Sequence, residues 1–326
     1  MSELIFHHYD ASPFSETIRL CFGHKGLAWR SVIQPQIMPK PHLVPLTGGY
    51  RKIPVLQRGA DVFCDSQLIA RGLEHMFPSP TLFPGGSEGI CFAIKFWADR
   101  LLFMAAVPVL FGKIAPAVPE AFIEDRKKLM GGGDFRAMMA AGPAFADQLR
   151  AHAQLLDAQL ADGRRFLLGD LFSFADAAAY HPIWFLLSMP PTQGSFDEFP
   201  KLLAWTERVR AVGHGERSEM SPEEALAVAR DAKSGTPITP DPRDPNGLAP
   251  GMRVRVVPDL GISNWYPSRS SGWTEASDAN RCPGGASSRI SSEKTRTVVS
   301  RLSATGSCVR PKSAWFSTTA SEIRLP

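Results

Sequence analysis

Cysteine is scarce: Cys21, Cys64, Cys91, Cys282 and Cys308 are the only five in 326 residues. The number is odd, and no two stand as Cys-x-x-Cys or at zinc-ligand spacing. That excludes a disulfide framework or a zinc finger and suits unpaired thiols in a reducing cytoplasm. Long apolar runs are missing too. The longest, Leu101–Phe111, is broken by Pro108 and flanked by Arg100 and Lys113, far short of the ~20 residues that span a bilayer. Met1-Ser2-Glu3 opens no basic segment leading into an apolar one, so no secretory leader is expected. The chain also lacks a strong charge of one sign. Its net +4 arises in residues 259–326, with nine Lys and Arg against five Asp and Glu, whereas residues 1–258 hold 27 of each. A nucleic-acid reading built on that total would be misplaced. No Gly-x-Ser-x-Gly elbow, Walker loop or His-Glu-x-x-His is present.

What is there is a globular composition, 44% hydrophobic and 21% charged, long enough for about two domains. Leu4–His8 reads as a strand. The break Asp10-Ala11-Ser12-Pro13 precedes a helix over Phe14–His24, with a Ser before a first-turn Pro, Glu16 in that turn, and Lys25-Gly26 at the end. Trp29–Ile33 alternates as a second strand, and a Pro-rich connection follows. Lys52–Gln57 reads as a third strand, Val62–Cys64 as its hairpin partner, and Asp65-Ser66 opens a helix to about Met76. This order requires a mixed sheet with helices on its faces over residues 1–80. Residues 81–87 form a Pro- and Gly-rich linker, and 88–234 read as an all-helical bundle with no strand signal. In it, Ser173-Phe174-Ala175-Asp176 is a capping box ahead of a helix apolar almost all round. Residues 235–250 carry five prolines and read as a linker. In 251–326 only Met252–Val257 alternates like a strand. From residue 259 on there are 15 Ser but only ten Leu, Ile, Val or Phe, so the remainder is expected to be disordered.

Ser12-Pro13-Phe14-Ser15, Ile53-Pro54, Asp65-Ser66 and the box in FSFADAAAYHPIWF together resemble the glutathione transferase superfamily, in its order and spacing, over residues 3–215. The resemblance implies an α/β thioredoxin-like N-terminal domain followed by an all-α helical domain. It implies glutathione as co-substrate, no metal, a hydrophobic electrophile, a cytoplasmic homodimer, and no nucleic-acid or membrane partner. By position it implies Ser12 as the catalytic hydroxyl, with Ser15 as its rival. Phe14, Ile53, Pro54, Asp65 and Ser66 would bind glutathione. The turn carries Ser where omega-like relatives carry Cys. That disfavours mixed-disulfide chemistry and favours stabilising a thiolate.

The resemblance also implies the chemistry that those positions would perform. A free thiol titrates near ~8.5, so only a few per cent is ionised at pH 7, and full ionisation would raise reactivity by at most about 30-fold. A hydroxyl donor and a helix N-terminus both favour the anion, and Ser12 supplies the first at the second. Ile53, before a proline that the resemblance makes cis, would pair through its backbone with the cysteinyl unit; an ordinary trans proline at a strand start is the competing reading. The start of the Asp65-Ser66 helix would receive the γ-glutamyl carboxylate and Asp65 its ammonium. Plain helix capping by Ser12 or by Asp65-Ser66 is the competing reading. No Lys is evident beside the cysteinyl unit; Thr47 or Leu46 stands near its place, and His42, Arg51 or Lys52 could substitute. His7 and His8, on one strand, point to opposite faces and make poor joint metal ligands. Phe96, Trp97, Phe103, Met104 and Phe111 could line an electrophile pocket or simply fill the core. A glutathione- or ligand-binding protein without turnover is the alternative on the same fold. A thiol-disulfide reductase would need Cys21 or Cys64 exposed.

Overall fold

The computed structural model of the chain describes residues 3–232 together with three short strands beyond them. The first half is built on strands β1 (Ile5–His8), β2 (Ala28–Ile33), β3 (Val55–Arg58) and β4 (Asp61–Cys64), with helices α1 (Pro13–His24), α2 (Val44–Thr47) and α3 (Ser66–Met76). β1 runs parallel to β2 and antiparallel to β3, and β3 forms a hairpin with β4. The register aligns His7, Val55 and Cys64 across three strands. The chain therefore leaves β1, enters β3 and leaves β4 at one edge of the sheet. Phe6, Phe22 and Trp29 interlock by their rings beneath α1.

The second half is helical: α4 (Glu88–Trp97), α5 (Phe103–Ile114), α6 (Glu120–Leu129), α7 (Phe135–Ala140), α8 (Gly142–Gln159), α9 (Phe174–Leu187) and α10 (Pro200–Arg210). A π-helical turn, Ala98–Leu102, joins α4 to α5. α9 is buried almost all round, as its composition predicts, and packs against both α1 and α4. Its capping box closes as the sequence predicts: Asp176 Oδ2 accepts from Ser173 N at 3.0 Å and from Ser173 Oγ at 2.7 Å.

The helical expectation fails at one point. Glu216–Glu219 is a strand, β5, that adds in parallel to β2 and extends the sheet to the order β4-β3-β1-β2-β5. α11 (Pro222–Asp231) then lies on the sheet, with Ala225 against Ile5 and Val32. The four residues of β5, ERSE, are all exposed, so no apolar pattern announces them; the ladder is made by backbone groups alone. The return of the chain is close-fitting. A Cβ on Gly23 in α1 would stand 2.0 Å from the Gly213 carbonyl oxygen, so only glycine fits there. Beyond residue 232, Arg253–Val256 (β6) is a strand as the alternation predicts. It pairs with Arg296–Val298 (β7) and Ser321–Arg324 (β8). The expectations of a Pro-rich linker and of a disordered tail otherwise lie outside the described residues.

Candidate functional site

Three chain segments meet at the sheet edge marked by the His7–Val55–Cys64 register. The first is the β1–α1 turn. Ser12 is the N-cap of α1, and its Oγ accepts from the Ser15 amide at 3.2 Å. Its own amide donates to the Tyr9 carbonyl at 3.0 Å. Arg19, buried one turn into α1, fixes the turn from below. Its guanidinium donates to the Asp10 carbonyl at 2.9 Å and the Tyr9 carbonyl at 3.5 Å, and pairs with Glu16. Ser15, the rival hydroxyl, is wholly buried, and its Oγ has no hydrogen-bond partner. Phe14 packs against the helical half, its ring 4.9 Å from both Phe103 and His181.

The second segment leads into β3. The Ile53–Pro54 bond is cis, with Pro54 buried and Ile53 half-buried. The third starts α3. Asp65 is the N-cap, its Oδ1 accepting from Gln67 N at 2.8 Å, and Ser66 is buried beside it. Asp65 has φ +80°, the only described non-glycine residue in that region. An aspartate held there is strained, and such strain clusters at ligand clamps. Burial pushes its carboxyl upward, while the Gln67 amide and the charge of Lys95 pull it down.

A polar network of the helical half stands behind Phe14. Asp99, on the π-helical turn, pairs with Lys95 and accepts from His181 Nε2 at 3.0 Å; the Lys95 ammonium lies 5.2 Å from the Phe14 ring centre. Burial works against the charged form of Asp99, but Lys95 and His181 together hold its carboxyl below the ordinary range. Burial pushes the His181 ring down to about 4. π-Helical turns recur at functional sites.

Of the substitutes considered for a lysine near the cysteinyl unit, His42 faces Glu223 on α11 at 3.2 Å, and Arg51 is held bidentate by Asp125 of α6. The Thr47 hydroxyl is spent on carbonyls of Leu43 and Tyr50. Lys40, which sequence reasoning missed, is buried at this edge. Its ammonium donates to the Arg51 carbonyl at 3.1 Å and sits 5.9 Å from the Tyr9 ring centre. Burial, reinforced by Arg51 and Arg126, lowers it to about 8. Its only sequence signal was a charge inside the run Met38-Pro39-Lys40-Pro41.

Of the five candidate pocket residues, Phe103 meets Phe14 edge to face. Phe96 is partly exposed, Trp97 meets His152, and Phe111 packs with Phe122 and Phe135. Cys21 is buried and pushed up to about 12 by burial, and Cys64 is half-buried. His7 bonds to Gln57 and His8 to Ser31, on separate partners.

Residues 6–81 match the family model for the glutathione S-transferase N-terminal domain, and residues 133–208 that for its C-terminal domain. A solved GST-like protein from Pseudomonas syringae is 38% identical, with 78% of this chain and 83% of that one covered and a TM-score of 0.62. The chain is a glutathione S-transferase superfamily member. Among plant relatives in the superfamily, a probable glutathione S-transferase of Nicotiana tabacum is 22% identical over 234 residues, covering 71% of this chain and 94% of its own. Another, from Solanum tuberosum, is 22% identical over 203 residues, covering 60% and 81%. The superfamily's two-part architecture is the one described above, with its N-terminal model ending just past α3 and its C-terminal model running from α7 into α10.

Proposed function

We propose that this chain binds glutathione along the sheet edge and holds its thiol as a thiolate for attack on an apolar electrophile. The observation that carries this reading is the convergence of the Ser12 turn, Ile53–Pro54 and Asp65-Ser66 through one strand register. Ser12 is a rotatable donor at a helix N-terminus, so it stabilises negative charge on a sulfur placed against it. Asp65, at the start of α3, offers a carboxylate to the γ-glutamyl ammonium, while the Ser66 hydroxyl and helix amides suit its carboxylate. Lys40 supplies a buried cation near the far end of the tripeptide for its terminal carboxylate. In turnover the thiol proton goes to solvent, the sulfur lone pair forms the new bond to carbon, and the leaving group departs with its electron pair. Phe14 and Phe103 give the electrophile an apolar wall.

Ser12→Ala is expected to lower kcat/KM for conjugation about 10- to 30-fold at pH 7, the range that ionisation alone can supply. The deficit should shrink above pH 9, where the thiol ionises unaided. Asp65→Ala is expected to abolish retention on immobilised glutathione. Retention without turnover across an electrophile panel would instead mark a binding protein.

Pairing of two chains is the second part of the reading. Ile90 in α4 and Leu101 in the π-helical turn are exposed apolar side chains, and a second chain covering both would remove their apolar surface from water. Sedimentation is expected to give twice the chain mass, with Ile90→Glu/Leu101→Glu at the single-chain mass. A native chain at the single-chain mass would rule this pairing out.

A further inference from the structure

The stretch Pro35–Pro41 has prolines at 35, 39 and 41. It therefore lacks three backbone N–H donors and can build little structure of its own, so its hold must come from outside. Just beyond it, Leu43 and Leu46 seat the chain on the sheet against Val55 and Val62. Within it, the partners come from α6 in the helical half. Met38 N donates to Asp125 Oδ1 at 3.1 Å, and the Arg126 guanidinium donates to the Gln36 carbonyl at 2.6 Å. Arg51, farther along, donates through Nη2 to both oxygens of Asp125, at 2.5 and 2.6 Å. Two neighbouring residues of α6 thus grip both ends of a segment that belongs to the other half.

α6 is a firm anchor for that grip. Phe122 and Ile123 pack it against Phe135 and Met139, and Arg126 stacks 4.4 Å from the Phe122 ring centre. Asp125 is buried and Arg51 largely so, which shields their pair from the salt and water that weaken a surface pair. Burial works against the charge of Asp125, yet Arg51 and the Met38 amide hold its carboxyl below the ordinary range. Lys40 lies between the gripped points, and its ammonium donates to the Arg51 carbonyl at 3.1 Å. Asp125 therefore acts on Arg51, and the Arg51 backbone on Lys40. A lysine on a free loop must be ordered when its ligand arrives; one ordered beforehand leaves more of the ion-pair energy for binding.

We infer that Asp125 and Arg51 clasp the two halves together so that Lys40 is held ready for the terminal carboxylate of glutathione. The helical half thereby sets the preference for a free glycyl carboxylate. Both are positioning residues, and the inference rests on the role given to Lys40 above.

The experiment is calorimetric titration of the full chain with glutathione and with its glycyl monoethyl ester, which lacks that one charge. The native chain is expected to bind glutathione about tenfold more tightly, the worth of one charge-assisted hydrogen bond. Arg51→Gln/Asp125→Asn removes one charge of each sign and so keeps the net charge around Lys40. It is expected to weaken glutathione about five- to tenfold and the ester by less than about twofold. Arg51→Lys keeps the charge but shortens the reach, and should weaken glutathione about threefold; it carries the test should the double variant fail to fold. In Lys40→Met the preference is absent from the start, and adding the double change should alter nothing more. Equal losses for both ligands in the clasp variants would overturn the proposal, because the segment would then merely have loosened. So would unchanged glutathione binding, or a loss that persists in Lys40→Met. A native chain that binds both ligands equally would overturn it and leave the rest of the glutathione reading standing. One that binds neither would remove that reading and the clasp's role with it.

Discussion

Asp176→Ala is expected to cost the folded chain about 4 kcal/mol, seen as a lower urea midpoint and a melting temperature reduced by roughly 8 to 16 °C for a body of this size. The expectation follows from what one buried carboxylate holds. Oδ1 accepts from Leu167 N at 2.8 Å and from the Trp205 indole at 3.0 Å, while Oδ2 accepts from the amide and hydroxyl of Ser173. Alanine leaves three buried N–H donors without their acceptor, each worth about 1 to 3 kcal/mol of desolvation. α9, the helix these bonds start, packs against both halves of the chain, so the damage reaches the candidate site through α1. Asp176→Asn keeps one acceptor oxygen and is expected to lose about half as much. An alanine variant within 1 kcal/mol of the native chain would show that water replaces the carboxylate.

Stability is expected to fall steeply as pH drops from about 6.5 to about 4.5. Three histidines set that window. Burial lowers His7 and His181 to about 4, and burial reinforced by the Arg19 charge lowers His8 to about 3. The sign follows from linkage. The unfolded chain binds these protons from its ordinary histidine value downward, while the folded chain resists them until about pH 4. Stability from the neutral rings is therefore complete above pH 6.5 and is lost progressively below it, up to about 3 kcal/mol for each ring. The depressed carboxyls of Glu16 and Asp99 act in the same direction, but only below the ordinary carboxylate range. Urea midpoints measured from pH 8 to pH 4.5 test this; a midpoint unchanged down to pH 5 would contradict it. His181→Asn, which cannot titrate, is expected to flatten the limb.

The parts of the site legible in the sequence are those set by local chemistry. Ser12 before Pro13, the Ile53–Pro54 pair and the Asp65 cap each declare themselves within four residues, because turns and helix starts are chosen by their own side chains. What stayed hidden is what the fold assembles. Lys40 reaches the edge from a Pro-rich connection without periodicity. Asp125, which holds Arg51 and the Met38 amide, arrives from α6 in the helical half. Ser15 shows the converse: it looks equivalent to Ser12 in the sequence, but three residues along a helix turn its hydroxyl into the core. β5 escaped because a fully exposed polar strand carries no hydrophobic signal, and α11 because an amphipathic helix does not say which surface it will cover.

β5 sits at the outer edge of β2, yet nearly two hundred residues separate the two in the chain. During synthesis β2 must wait, the backbone groups on its outer side unpaired, for roughly 10 to 40 s before that neighbour is made. An open strand edge is a template for the wrong partner. A fragment ending after the first eighty residues would carry that edge permanently, and nascent chains of this protein would be most vulnerable to clumping on the ribosome until Glu216–Glu219 has emerged.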